Sequence, residues 1–117
     1  MATIHHLGGK RVFTREQAQE LVPVLLRITR GAQAQIEEKL GFLAQAEGPR
    51  RDEIEEEVHR IFDGWQEKVL RLGGVTKGMW LVDFDNGEGY LCWRFPEADV
   101  AHYHGYHEGY GSRVKLH

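Results

Sequence analysis

Residues 80–113 read WLVDFDNGEGYLCWRFPEADVAHYHGYHEGYGSR, and the fold turns on how that stretch is divided. From Val75 the apolar spacing changes from a helical period to a period of two. Residues 79–84 and 90–95 are rich in aromatic and branched side chains, and Asp85-Asn86-Gly87-Glu88 between them is a turn signal, which predicts a β-hairpin over about 79–95. With Asn86-Gly87 as a two-residue tip, Trp80 faces Trp93, Val82 faces Leu91 and Phe84 faces Gly89, an apolar face for the core. The other face then carries Met79, Leu81, Asp83, Tyr90, Cys92 and Arg94, with Asp83 opposite Tyr90 and diagonal to Cys92. A slip of one residue would mix the two sets, which burial opposes. Past Pro96-Glu97 there is no helical or strand period, so residues 96–117 read as a structured polar loop, of the kind that often carries function.

Everything N-terminal to this stretch reads mainly as helix. Thr14-Arg15-Glu16-Gln17 is a capping box that starts a helix at Arg15. Ala18, Val22, Leu25, Thr29, Ala32, Ile36 and Leu43 recur at spacings of three and four, which carries the helix to about Ala46. Pro23 removes a backbone bond to Gln19, so a kink or break is expected there. Gly48-Pro49 closes this helix and opens a second, with the stripe Ile54, Val58, Ile61, Trp65, Val69 and Leu72 and a stop at Gly73-Gly74. Two stripes joined by a short turn make an antiparallel helical hairpin over about 15–72. At the N-terminus Gly8-Gly9 reads as loop, His5-His6 is either a frayed terminus or a metal-binding pair, and Arg11-Val12-Phe13 is a candidate short strand.

The predicted fold class is therefore α+β, a long antiparallel helical hairpin followed by a β-hairpin and a structured C-terminal loop, in a single domain over 1–117. At 117 residues with a formal net charge of −3, the chain lacks the positive field that nucleic-acid binding draws on. No apolar run approaches the ~20 residues of a membrane span, and no signal-peptide core is present. A single cysteine suits a reducing compartment, so the expected localisation is cytoplasmic.

The chemistry-bearing side chains collect in the opening stretch. Asp83, Cys92, Glu97, His102, His104 and His107 are the types that bind zinc or iron, and His102-x-His104 suits two ligands from an extended segment, with the hairpin supplying others. No stringent spacing such as paired Cys-x-x-Cys is present, and the same side chains also serve as hydrogen-bonding braces of a loop. Cys92 reads as a small buried residue or as a nucleophile beside a base, and Asp83 as half of an ion pair or a general base. As acid/base and anion-binding candidates we take Asp83, Glu97, His104 and Arg113.

The combination LVDF (81–84), LCWR (91–94), Glu97, Val100, Tyr103-His104, Gly109-Tyr110 and Arg113, after Phe13-Thr14 and a helical hairpin ending in Gly-Gly, resembles the prokaryotic family called domain of unknown function 2203. The resemblance spans nearly the whole chain. It implies a site at Asp83, Cys92, Glu97, Tyr103-His104 and Arg113. Tyr103 stands where the family has Trp, Trp80 and Pro96 where it usually has glycine, and Gly78 where an aspartate is usual.

Two functional readings follow. In the first, this small cytosolic protein holds a metal ion or small ligand, zinc or iron being the expected cofactor, between the hairpin's mixed face and the His-rich loop. In the second, the helical hairpin is an interaction module without catalytic activity. On either reading the leftover apolar residues Leu21, Leu26, Ile28, Leu40 and Phe42 favour a homodimer through the long helices.

Overall fold

The structure, a computed structural model, describes residues 11–117, so His5-His6 and Gly8-Gly9 lie outside the described residues. Helix α1 (Arg15–Glu20) opens at the capping box. The Thr14 hydroxyl accepts from the Gln17 amide at 3.1 Å, and the Gln17 side chain accepts from the Thr14 amide at 3.0 Å. The helix is interrupted at Leu21 and resumes as α2 (Val22–Leu43) with Pro23 in its first turn, where a missing N–H costs nothing. Gly48, expected to cap the end of this helix, instead starts α3 (Gly48–Leu72), with Pro49 in the first turn. At the far end Gly73 turns left-handed, with φ 100°. Its neighbour Gly74 lies so close to the sheet that a Cβ there would sit 2.7 Å from Val82 Cγ1.

The sheet is larger than a hairpin. Strands β1 (Val75–Gly78), β2 (Leu81–Asp85), β3 (Tyr90–Arg94), β4 (His102–His104) and β5 (Val114–Lys115) form an antiparallel meander in sequence order. The region expected to be loop over 96–117 thus supplies two strands, of three and two residues, too short to show a period. Arg11-Val12-Phe13 forms no strand, although the Phe13 amide donates to the Asp85 carbonyl at 2.7 Å.

The hairpin register differs from expectation by two residues. Val82 pairs with Trp93, Phe84 with Leu91, Asp85 with Tyr90, and Asp83 with Cys92 instead of Tyr90. The tip is a four-residue loop closed by the Asn86 amide on the Gly89 carbonyl at 2.9 Å. The Asn86 carboxamide oxygen accepts from the amides of both Glu88 and Gly89. Those bonds let Asn86 hold a wider turn than the dipeptide alone predicts. Trp80 consequently lies outside the strands and does not pair with Trp93. It sits at φ 63°, in the region that favours glycine, with its ring 4.9 Å from Trp65 and 5.8 Å from Phe62.

A shift of two preserves the faces. Val82, Phe84, Leu91 and Trp93 face the helices and bury with Phe13, Ala18, Val22, Leu25, Trp65 and Val69. Thr29, at a core position of α2, accepts a 2.8 Å hydrogen bond from the Trp65 indole, which satisfies both polar groups. Leu21, Leu26 and Ile28, expected to be left over for a partner, pack against this core within the chain; Leu40 and Phe42 do remain exposed. Between β3 and β4 the chain is pinned to α1. Gln19 donates to the Ala98 carbonyl and accepts from the Val100 amide, while Arg15 donates to the Val100 carbonyl. Among the described residues no helix is long and apolar enough to cross a membrane.

Candidate functional site

Because neighbouring positions alternate across a strand, the face turned away from the helices carries Asp83, Cys92 and His102 in one row and Asp85, Tyr90 and His104 in the next. A sheet face with no helix on it would ordinarily be half solvated. Asp83 and Cys92 are nevertheless 0% exposed and His104 only 2%. The two shared registers bring one ligand-type atom from each within 4.8 Å of the others, with β2 supplying Asp83, β3 Cys92 and β4 His104.

His104 fixes the chemistry of this cluster. Its Nδ1 lies 2.9 Å from the Gly105 carbonyl oxygen, which can only accept, so Nδ1 carries a proton. Its Nε2 faces Asp83 Oδ2 at 3.0 Å. On a neutral ring that nitrogen presents a lone pair to a carboxylate oxygen, and two acceptors at that distance require a cation between them, either a proton or a metal ion. The other carboxylate oxygen, Asp83 Oδ1, is buried without a hydrogen-bond partner. Beside it, burial pushes the Cys92 thiol up to about 12, reinforced by the charge of Asp83 and opposed by Arg113, so the sulfur is protonated in the absence of a bound cation.

Side chains from the segment after β4 reach over this face, as do Glu97 and, from β1, Lys77, the latter 4.9 Å from the Tyr90 ring centroid. Tyr106 donates to Asp85 Oδ1 at 2.6 Å and meets Tyr90 edge-on at 5.2 Å, while Tyr90 lies 5.6 Å from the His104 ring. At the other end Arg113 makes a two-pronged bond to Glu97, at 3.1 and 2.7 Å, and donates to the Tyr110 hydroxyl over whose ring it sits. Glu97 also accepts from the Arg94 amide at 2.8 Å. Burial raises the Glu97 pKa, but Arg113, the Arg94 amide and the nearby His102 outweigh it and leave the carboxyl below its ordinary value.

Of the residues that the sequence singles out, Asp83, Cys92 and His104 converge. Glu97 and Arg113 lie next to them but are committed to each other. The Nδ1 of His102 is buried without a hydrogen bond, 3.9 Å from Glu97 Oε2, and stands outside the three-atom cluster. His107 is exposed on the turn beyond β4 and joins neither group. Tyr103 points to the opposite face and donates to the Glu88 carbonyl. Sequence reading assigned no role to Tyr90, Tyr106 or the Gly105 carbonyl; the recurrence of Gly-Tyr at 89–90, 105–106 and 109–110 is the one signal that could have marked the two tyrosines.

The sequence model of the family described as Uncharacterized conserved protein (DUF2203) matches residues 11–116. No curated protein and no solved structure matches the chain.

Proposed function

The chain belongs to the DUF2203 family, and on that premise we propose that it binds one transition-metal ion through Asp83 Oδ, Cys92 Sγ and His104 Nε2. The observation that supports this most directly is the convergence of one ligand-type atom from each of Asp83, Cys92 and His104 within 4.8 Å, out of water and with Asp83 Oδ1 lacking a hydrogen-bond partner. A thiolate, an imidazole and a carboxylate together select zinc or iron(II) over magnesium or calcium, which take oxygen ligands. The carboxylate and thiolate charges balance a divalent cation, which offsets the cost of burying them. Three protein ligands leave a fourth position. Gly105 is the group that turns the Nε2 lone pair toward the ion, an outer-sphere role common around metal-bound histidine. A free buried thiol suits a reducing compartment, and we assign the protein to the prokaryotic cytoplasm.

Elemental analysis of untagged protein purified without added metal or chelator tests the reading, with His104→Ala and Cys92→Ser alongside. Near-stoichiometric zinc or iron that is lost in both variants is the expected result. Folded wild-type protein that takes up neither ion after incubation with both rejects it.

A second reading concerns the tip of the helical hairpin. Leu40, 47% exposed, lines an open groove of about 720 Å³ together with Leu43, Ile54 and Val58, and Phe42, 54% exposed, lies at the same end of α2 outside that groove. We propose that a second copy covers this tip. Replacing both Leu40 and Phe42 with Glu should then convert a dimer to a folded monomer in light scattering; a wild-type monomer at micromolar concentration removes the idea.

A further inference from the structure

Asp83, Cys92 and His104 are buried although the helices pack on the other side of the sheet, so something else must cover them. Lys77 of β1 lies over Tyr90 and Glu97 sits against His102 on that face, and the rest of the cover comes from residues 105–113, which leave β4 at His104 and rejoin the sheet at Val114. This segment crosses from Tyr106, seated on Asp85 and Tyr90, to Tyr110 and Arg113, seated on Arg94 and Glu97. The row Asp83–Cys92–His102 lies between those two seats. Yet the covering segment is itself thinly held. Residues 106–112 are all exposed, and the chain is anchored again only past Arg113, by the pairs His102 with Lys115 and Tyr103 with Val114 and by Leu116, whose amide donates to the Ala101 carbonyl and whose side chain packs on the core. No residue of 105–113 belongs to the helix-facing core.

We infer that residues 105–113 are a strap, latched by Tyr106 on Asp85 and by Arg113 on Glu97, whose local opening governs access to the Asp83–Cys92–His104 cluster. The physical basis is a difference in what must break. Opening the strap exposes little apolar surface and costs a few polar contacts, whereas opening the helix side costs the core, and segments of the first kind open at free energies well below global unfolding. The inference extends the metal reading to regulation of that site, but the strap can be tested without metal.

Cys92 is the only cysteine in the chain, so covalent labelling reports on this cluster alone. The experiment measures the rate at which a small aromatic disulfide reagent labels full-length, metal-free protein as urea is raised through the range below global unfolding. Variants Tyr106→Phe and Leu25→Ala are measured in parallel. A strap predicts slow wild-type labelling nearly independent of urea in that range, because little surface is exposed on opening. Tyr106→Phe, which removes one latch bond to a carboxylate, should label about tenfold faster. Leu25→Ala, which weakens the fully buried core, should label at the wild-type rate without urea. Labelling whose urea slope equals that of global unfolding, or that accelerates in Leu25→Ala and not in Tyr106→Phe, overturns the strap. A separate arm adds zinc: slower labelling supports the metal reading, and no change counts against that reading alone.

Discussion

His104 Nε2 and Asp83 Oδ2 lie 3.0 Å apart under the 105–113 segment, while the other ring nitrogen is held by the Gly105 carbonyl. With an asparagine at position 83, the carboxamide N–H would donate to Nε2 directly and no cation would be needed. Asp83→Asn should therefore keep or raise the melting temperature of metal-free protein while lowering zinc affinity by 10-fold or more. Asp83→Ala should cost about 3–5 kcal/mol, because it leaves the buried ring nitrogen unanswered. Thermal melts with and without chelator check both; an Asn variant that melts like the Ala variant would show that the carboxylate charge itself holds the fold.

Trp65 and Thr29 form a single buried hydrogen bond between α3 and α2. Thr29→Val keeps the volume but orphans the indole N–H, for an expected loss of about 1–3 kcal/mol. Adding Trp65→Phe should then cost less than the same change made in the wild type. Urea denaturation of the four-member cycle measures the coupling, and strict additivity would contradict it.

Trp80 reverses the usual order of small residues. Its φ of 63° strains any side chain with a Cβ, by about 1–2 kcal/mol, whereas its ring packs on Trp65 and Phe62. Both Trp80→Ala and Trp80→Gly lose the ring, but only glycine relieves the backbone. Trp80→Gly should be the more stable of the two by about 1 kcal/mol in urea midpoints, as expected at a positive-φ position.

Glu97 gives a pH dependence with a definite sign. Its carboxyl is pushed up by burial but pulled further down by Arg113, the Arg94 amide and His102. A carboxyl with a depressed folded-state pKa contributes stability above its unfolded value, about 4.3, and loses it as pH falls through the folded value. The stability deficit of Glu97→Gln relative to wild type should be full near neutrality and shrink below about pH 4. A deficit unchanged between those limits would mean that the Gln side chain disturbs packing instead.

The helices were legible because burial imposes a long, redundant period. Ala18, Val22, Leu25, Thr29, Ala32, Ile36 and Leu43 mark one stripe, and the first six are buried while Leu43, at the open end of the hairpin, is half-buried. The capping box at Thr14 and the stop at Gly73 were equally legible, since each is a bond pattern closed within a few residues. The hairpin was legible as to face but not as to partner. A period-two pattern is unchanged by a shift of two, so Val82, Phe84, Leu91 and Trp93 share a face in either register, and only the turn chemistry of Asn86 decides which residues meet.

By itself the sequence determined which residues form helices, which sheet face is apolar, and that Asp83, Cys92 and His104 belong to a polar stretch at the C-terminal end. These follow from periodicity and from local bonds. Only the tertiary structure decided that these three come together and that Glu97 pairs with Arg113 while His107 stands apart. Strands of two and three residues carry no readable period, and a contact between β2 and β4 depends on two registers at once. The cover over the cluster was decided the same way, because no local pattern says which face of a sheet a later segment will cross.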